Sequence, residues 1–334
     1  FTFLRLLIIA LPPSDIDYLT SFDLRQYDYE KAEERECYVR DWLSCLENMT
    51  ELRKDVDDIF LPNISLMLGI GDYSAFVAGD ICFSHDTSWS KPVLQEVSGW
   101  RDLPGLGESK WYGRFLEICE RMLQKTKGTG IPFMRGFFSP LDLAAALRGE
   151  AIYCDFYDKP DALHDLLRYC ADCTSRFAGD LYRLVDRYAG DTEYGMFYAD
   201  GINMSEDIAC MISPDLYREF CAPHTQRLID EFGKGYMHCH SRAMYLVKEI
   251  CSLKNVATLW LASDPNQPRP MDHIPGISED AQSVCVAIDA ASFEETAIHA
   301  EELKRGNFTV TIAVPDMATA IDTTRKFERL FGPE

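Results

Sequence analysis

From residue 108 to the C-terminus, short apolar runs and amphipathic segments take turns, and this alternation restricts the fold more than any other feature of the chain. Runs of strand length lie at 131–137, 194–198, 235–240, 256–261, 283–288 and 308–314. Between them, apolar residues recur at helical spacing over 141–147, 160–188, 214–232, 243–252, 293–304 and 318–330. Strand then helix, repeated this often, predicts a parallel sheet, and a closed (β/α)8 barrel fits the number of units better than an open sheet.

The N-terminal third is less regular. Residues 29–53 interleave charges with Ala32, Cys37, Val39, Trp42, Leu43, Leu46 and Met49 and predict an amphipathic helix, whereas 61–100 reads as a strand and long loops. We therefore expect a helical and loop-rich extension over 1–60, packed on a barrel spanning 61–334. Residues 1–11 are apolar but too short to cross a bilayer, stop at Pro12 and Pro13, and lack the cationic start of a secretion signal. They read as a truncated or packed terminal segment.

Charge narrows the partners. With 33 Lys plus Arg against 54 Asp plus Glu, the formal charge of -21 disfavours nucleic acid and anionic membranes and leaves a small-molecule substrate as the expected partner. Oligomeric state is not legible. Twelve cysteines lie scattered in a chain too long to need disulfide staples, which points to reduced thiols and a cytoplasmic setting. Cys170 and Cys173 form a lone C-x-x-C inside a helical pattern and read as core thiols.

The residues with most chemistry lie on and around the strand 235–240. Alternation puts His238 and His240 on one face and Cys239 on the other, so both imidazoles point the same way, toward a site if the strand belongs to a barrel. Such a pair can ligate a metal, shuttle protons or bind an anion, or simply end a strand on hydrogen bonds. His238, His240 and Cys285 together would make a three-ligand zinc site with an open position, although a free cysteine is more often core. Asp200 and Asp207 are candidate carboxylates for stabilising a cation or orienting a base, and Asp264 follows the next strand. Ser213 and Pro214 read as a helix cap.

Four stretches carry a resemblance: Gly136-Phe-Phe-Ser-Pro-Leu-Asp-Leu-Ala-Ala-Ala-Leu-Arg-Gly-Glu150, Tyr157-Asp-Lys-Pro160, Met211-Ile-Ser-Pro-Asp-Leu-Tyr-Arg-Glu-Phe-Cys-Ala-Pro223, and His238. In this order the chain, from about residue 61, resembles the uroporphyrinogen decarboxylase superfamily. That resemblance implies a barrel with one of two activities: cofactor-free decarboxylation of uroporphyrinogen, or zinc-dependent methyl transfer between corrinoid proteins and thiols. The chain has no counterpart of the Arg-Gln-Ala-Gly-Arg-Tyr motif with which the decarboxylases clamp substrate carboxylates. Where the methyltransferases carry His-x-Cys-Gly, it has His238-Cys-His-Ser241, and the loop 314–317 offers no late cysteine.

Three readings stand at this point. The first is a methyltransferase that uses zinc at His238, His240 and Cys285 and takes or gives a methyl group with a corrinoid carried by a partner protein. The second is a decarboxylase using Asp200 or Asp207 with His238. The third is a barrel that binds a small molecule without catalysis.

Overall fold

The computed structural model describes residues 4–10, 23–85, 87–189 and 195–332. Nine strands are described: β1 (Arg5–Ala10), β2 (Ile81–Phe83), β3 (Ser88–Ser90), β4 (Phe137–Phe138), β5 (Ile202–Ser205), β6 (Gly235–His240), β7 (Val256–Ala262), β8 (Cys285–Ala290) and β9 (Phe308–Val314). β2 and β3 form an antiparallel hairpin. The other seven make one parallel sheet in the order β1-β9-β8-β7-β6-β5-β4.

An eighth stave lies at Ile64, which pairs in parallel with Phe133, itself paired with Met196. On its other side the Ile59 N–H donates to the Leu6 carbonyl at 3.0 Å, which brings the chain back to β1 and rounds off a (β/α)8 barrel. The apolar residues of each stave explain the closure. On β6 Gly235, Met237 and Cys239 are buried against the helices while Tyr236, His238 and His240 point inward. On β9 Phe308, Val310 and Ile312 do the same, with Thr309 and Thr311 inside.

Three expectations need correction. Residues Arg5–Ala10 are not part of an extension but a barrel strand hydrogen-bonded along Phe308–Val314, so a boundary at residue 60 cuts through the sheet. Residues 11–22, with Pro12 and Pro13, lie outside the described residues, as does Tyr194. The stave expected at 194–198 has only its Met196 bridge there, turns at Tyr198–Gly201 (Gly201 N–H to the Tyr198 carbonyl, 3.0 Å), and resumes as β5. The segment 214–232 is not one α-helix. Tyr217–Cys221 is a π-helical turn ahead of Ala222–Phe232, because Pro223 offers no N–H to the preceding turn.

Other elements fall where periodicity placed them. The helix Ala32–Arg53 buries Tyr38, Val39, Trp42 and Leu46, and Pro160–Ala189 carries Cys170 and Cys173 into the core as free thiols. None of the twelve cysteines pairs in a disulfide among the described residues. Ser213 caps its helix by accepting from the Leu216 N–H, with Pro214 in the first turn. No helix among the described residues is long and apolar enough to cross a membrane.

Candidate metal centre and its cleft

His238 and His240 stand on β6 at the C-terminal mouth of the barrel, two residues apart and therefore on one face, with ring centroids 4.9 Å apart. Asp207 reaches them from the loop after β5. Its Oδ1 lies 3.4 Å from His238 Nε2 and 3.4 Å from His240 Nε2. These three ligand atoms lie within 4.8 Å of one another. Asp207 Oδ1 is buried and accepts no hydrogen bond from the described residues.

The geometry of these atoms fits a metal better than a hydrogen-bonded cluster. A separation of 3.4 Å is long for a charge-assisted hydrogen bond, which runs about 2.7–2.9 Å. Two ligand atoms about 2.1 Å from a tetrahedral zinc, by contrast, sit about 3.4 Å apart. The residue types, two imidazoles and one carboxylate, suit a divalent metal such as zinc with an open position.

Asp264 supports the set from behind. Its Oδ1 lies 2.8 Å from His240 Nδ1, while its Oδ2 accepts the Arg242 N–H at 3.0 Å and its own N–H donates to Ser241 Oγ at 3.0 Å. A carboxylate on Nδ1 fixes the tautomer that leaves Nε2 free to ligate. His238 is wedged against Trp260, ring centroids 4.6 Å apart, and its buried Nδ1 has no hydrogen-bond partner among the described residues.

Electrostatics separate the two imidazoles. Asp207 raises the pKa of His240 to about 9, against burial and with help from Asp264. Burial lowers that of His238, with Asp207 opposing and His240 adding to the shift.

Beneath Asp207 lies a pair of carboxyl groups that sequence reasoning passed over. Asp142, fully buried, accepts from Ser205 Oγ at 2.6 Å, the Asp207 N–H at 3.0 Å and the Ile208 N–H at 2.9 Å. Glu206 accepts from Thr225 Oγ1 at 2.7 Å and Tyr217 Oη at 3.1 Å, the latter presented by the π-helical turn. Burial pushes Glu206 up to about 7, and raises Asp142 well above the usual carboxylate range with the charges of Asp207 and Glu206 adding to it. The only signal for Asp142 was its place in the Ser139-Pro-Leu-Asp helix start, where it passes for a first-turn acid.

The structure brings together Asp207, His238 and His240 and leaves two candidates elsewhere. Cys285 points into the barrel two residues below Ala287, which is in register with Trp260 and through it with His238. There its thiol meets Arg5 Nη1 at 3.4 Å and Thr309 Oγ1 at 3.6 Å. Asp207, and not Cys285, stands beside the two imidazoles as the third candidate ligand. Asp200 sits below Ile202, at the N-terminal end of β5, bonded to Lys234 and to Tyr236 Oη at 2.6 Å. The break in its stave moved it from the mouth to the base of the barrel.

A family model described as uroporphyrinogen decarboxylase (URO-D) matches residues 88–266, more than half of the 334 residues. The chain belongs to the uroporphyrinogen decarboxylase family. Asp142, Glu206, Asp207, His238, His240 and Asp264 all fall inside the matched segment, and Cys285 falls outside it.

Among solved structures, a methyltransferase from Methanosarcina mazei superposes on this member of the uroporphyrinogen decarboxylase family with a TM-score of 0.63, over 95% of this chain and 94% of the other. Identity is 12%, so the likeness is one of fold. The homocysteine methyltransferase MmuM from Escherichia coli, in its apo form, aligns at 12% identity over 62% of this chain and 98% of its own, with a TM-score of 0.30 that carries no argument. No curated protein matches.

A cleft of about 460 Å3 in this uroporphyrinogen decarboxylase family member reaches Asp207 of the three candidate ligands. Phe138, Ala145, Ala146 and Tyr153 give it apolar walls, and Asp142, Glu150 and Asp207 are its acidic lining. Trp100, Trp111 and Tyr112 do not line it: Trp111 and Tyr112 are buried, and Trp100 stacks on Tyr169.

Proposed function

We propose that this barrel is a zinc-dependent methyltransferase whose metal is held by Asp207 Oδ1, His238 Nε2 and His240 Nε2, with a small-molecule substrate entering from the adjoining cleft. The observation that carries the reading is the pair of 3.4 Å separations from one orphaned carboxylate oxygen to two imidazole nitrogens. A zinc ion there supplies Lewis acidity, lowering the pKa of a thiol or water that takes its open position.

The chain's own residues do the rest. Asp264 holds His240 in the ligating tautomer, Asp142 fixes the backbone that aims Asp207, and Trp260 excludes water from one side of His238. A corrinoid carried by a partner protein is the methyl carrier that this reading calls for, in keeping with the methyltransferase activity expected from the family resemblance.

Decarboxylation of uroporphyrinogen is the second reading, supported by the family and by Asp207 beside His238. Against it stands the cleft, which is lined by three carboxyl groups and by no Lys, Arg or His, where a polycarboxylate needs cations. A barrel that binds without catalysis is the third.

Elemental analysis of protein purified without chelator tests the proposal. Near-stoichiometric zinc, lost in a His238→Ala, His240→Ala double variant, supports methyl transfer. Metal-free protein that converts uroporphyrinogen to coproporphyrinogen establishes the decarboxylase instead.

A further inference from the structure

We propose that Glu206 is a positioning residue of the centre: a buried carboxyl group, held by the π-helical turn at Tyr217, that aims Asp207 at the two imidazoles. The proposal rests on the metal reading for what that aim serves, and its test includes a readout without metal.

An acid is an unfavourable choice at this position. Glu206 continues the outward row of Ile202 and Met204 past the end of β5 and is 0% exposed. Its Oε1 accepts from Thr225 Oγ1 at 2.7 Å and from Tyr217 Oη at 3.1 Å. Its Oε2 is buried with no hydrogen bond in normal geometry among the described residues, the Ser139 hydroxyl lying nearby. A half-satisfied buried acid lowers stability, and apolar side chains of similar volume are often neutral or better in such a place. Stability therefore does not account for Glu206.

The helix opposite is widened so that two hydroxyls meet this group. Tyr217 and Thr225 are eight residues apart, which in an unbroken α-helix leaves them about 80° off a common face. The π-helical turn Tyr217–Cys221 takes up one extra residue, so the span acts as seven and the two side chains return to within about 20° of each other. Both hydroxyls then reach the same carboxyl oxygen. Turns of this kind recur at functional sites.

What Glu206 holds is the link between the candidate ligands. Its own N–H donates to the His238 carbonyl at 2.8 Å. The next residue is Asp207, whose Oδ1 lies 3.4 Å from Nε2 of both His238 and His240. Glu206 points out to the helical layer and Asp207 in to the mouth, so fixing one side chain fixes the direction in which the other leaves the chain. Asp142 holds the N–H groups of Asp207 and Ile208, and Glu206 holds the residue before them.

The test removes the polar cluster while keeping its volume. In the full chain, Glu206→Leu combined with Tyr217→Phe and Thr225→Val is expected to bind cobalt(II) about 10–100-fold more weakly by chelator competition, while its urea midpoint matches or exceeds that of the unsubstituted protein. Unchanged cobalt affinity overturns the proposal. So does a urea midpoint that falls along with the affinity, which marks a group that only holds the fold. Tyr217→Phe alone, without metal, is expected to speed amide hydrogen exchange at Glu206, Asp207 and Ile208 about tenfold and to leave the helix Pro160–Ala189 unchanged. Exchange that is unchanged, or faster throughout the chain, also overturns it. The two readings fail separately. Unsubstituted protein that binds no cobalt, with the local exchange change present, refutes the metal reading and leaves Glu206 positioning Asp207; a triple variant that binds cobalt as well as its parent does the reverse.

Discussion

Asp142 holds the loop that carries Asp207: one carboxylate accepts the backbone N–H groups of both Asp207, at 3.0 Å, and Ile208, at 2.9 Å. The proposed metal ligand is thus aimed by a buried acid on a different element, the helix Pro140–Arg148, whose own start is fixed by Ser139. A carboxylate buried among two others is costly to hold, and its three donors offset that cost.

Asp142→Asn keeps the shape but turns an amide donor toward the donors it must accept from. We expect zinc affinity, measured by chelator competition, to fall about 10–100-fold, as for other outer-shell ligands. Asp142→Ala additionally strands buried N–H groups and lowers unfolding free energy by about 1–3 kcal/mol.

Asp264→Ala frees His240 Nδ1 and unlocks the ring. Zinc affinity is expected to drop about 10–100-fold with little change in the urea midpoint, since Asp264 lies at the mouth rather than in the core. Unchanged affinity would show that Asp264 serves the Arg242 turn alone.

Arg135 and Asp72 form an ion pair at 2.6 Å with both side chains buried, the guanidinium lying over Tyr73 and Phe115 at 4.4 and 4.9 Å. Arg135→Met leaves Asp72 uncompensated and is expected to cost about 3–5 kcal/mol in urea unfolding, while the double replacement with Asp72→Leu recovers much of the loss.

Period-two alternation made the facing of His238 and His240 legible, because a strand offers only two faces and Met237 and Cys239 claimed the buried one. It did not place Asp207 beside them as the third candidate ligand. Asp207 sits on a loop, where no periodicity operates, and its aim depends on Asp142, 65 residues away in sequence. Cys285 was on the correct face of its strand but at the wrong height, and register is a property of pairing that one strand's sequence does not contain. Asp200 was misplaced by the turn at Tyr198–Gly201, and β1 was missed because its partner lies some three hundred residues on, at the far end of the chain.

His224, with its ring centroid 6.3 Å from that of His164, has its pKa lowered from 6.5 to about 4, chiefly by burial and then by the charges of His164, Arg168 and Arg227. The unfolded chain therefore takes the proton first, so its stabilising contribution is full above pH 6.5 and is lost as pH falls toward 4. Because the ring is partly exposed, we expect a loss of only about 1 kcal/mol. His224→Gln should flatten the stability curve between those two values, as read by thermal unfolding at stepped pH.

Gly149 lines the cleft at φ +74°, and a Cβ there would stand 2.9 Å from Pro92 Cγ. Gly149→Ala is expected to destabilise the fold by about 1–3 kcal/mol and to weaken ligands of the cleft, checked by unfolding and by calorimetry.

The most direct test of the metal centre is the visible spectrum of the protein loaded with cobalt(II). Ligation by Asp207, His238 and His240 predicts tetrahedral d–d bands without a thiolate-to-cobalt charge-transfer band, unchanged in Cys285→Ser and lost in His240→Ala. A thiolate band that disappears in Cys285→Ser, or no specific cobalt binding at all, would contradict the site described here.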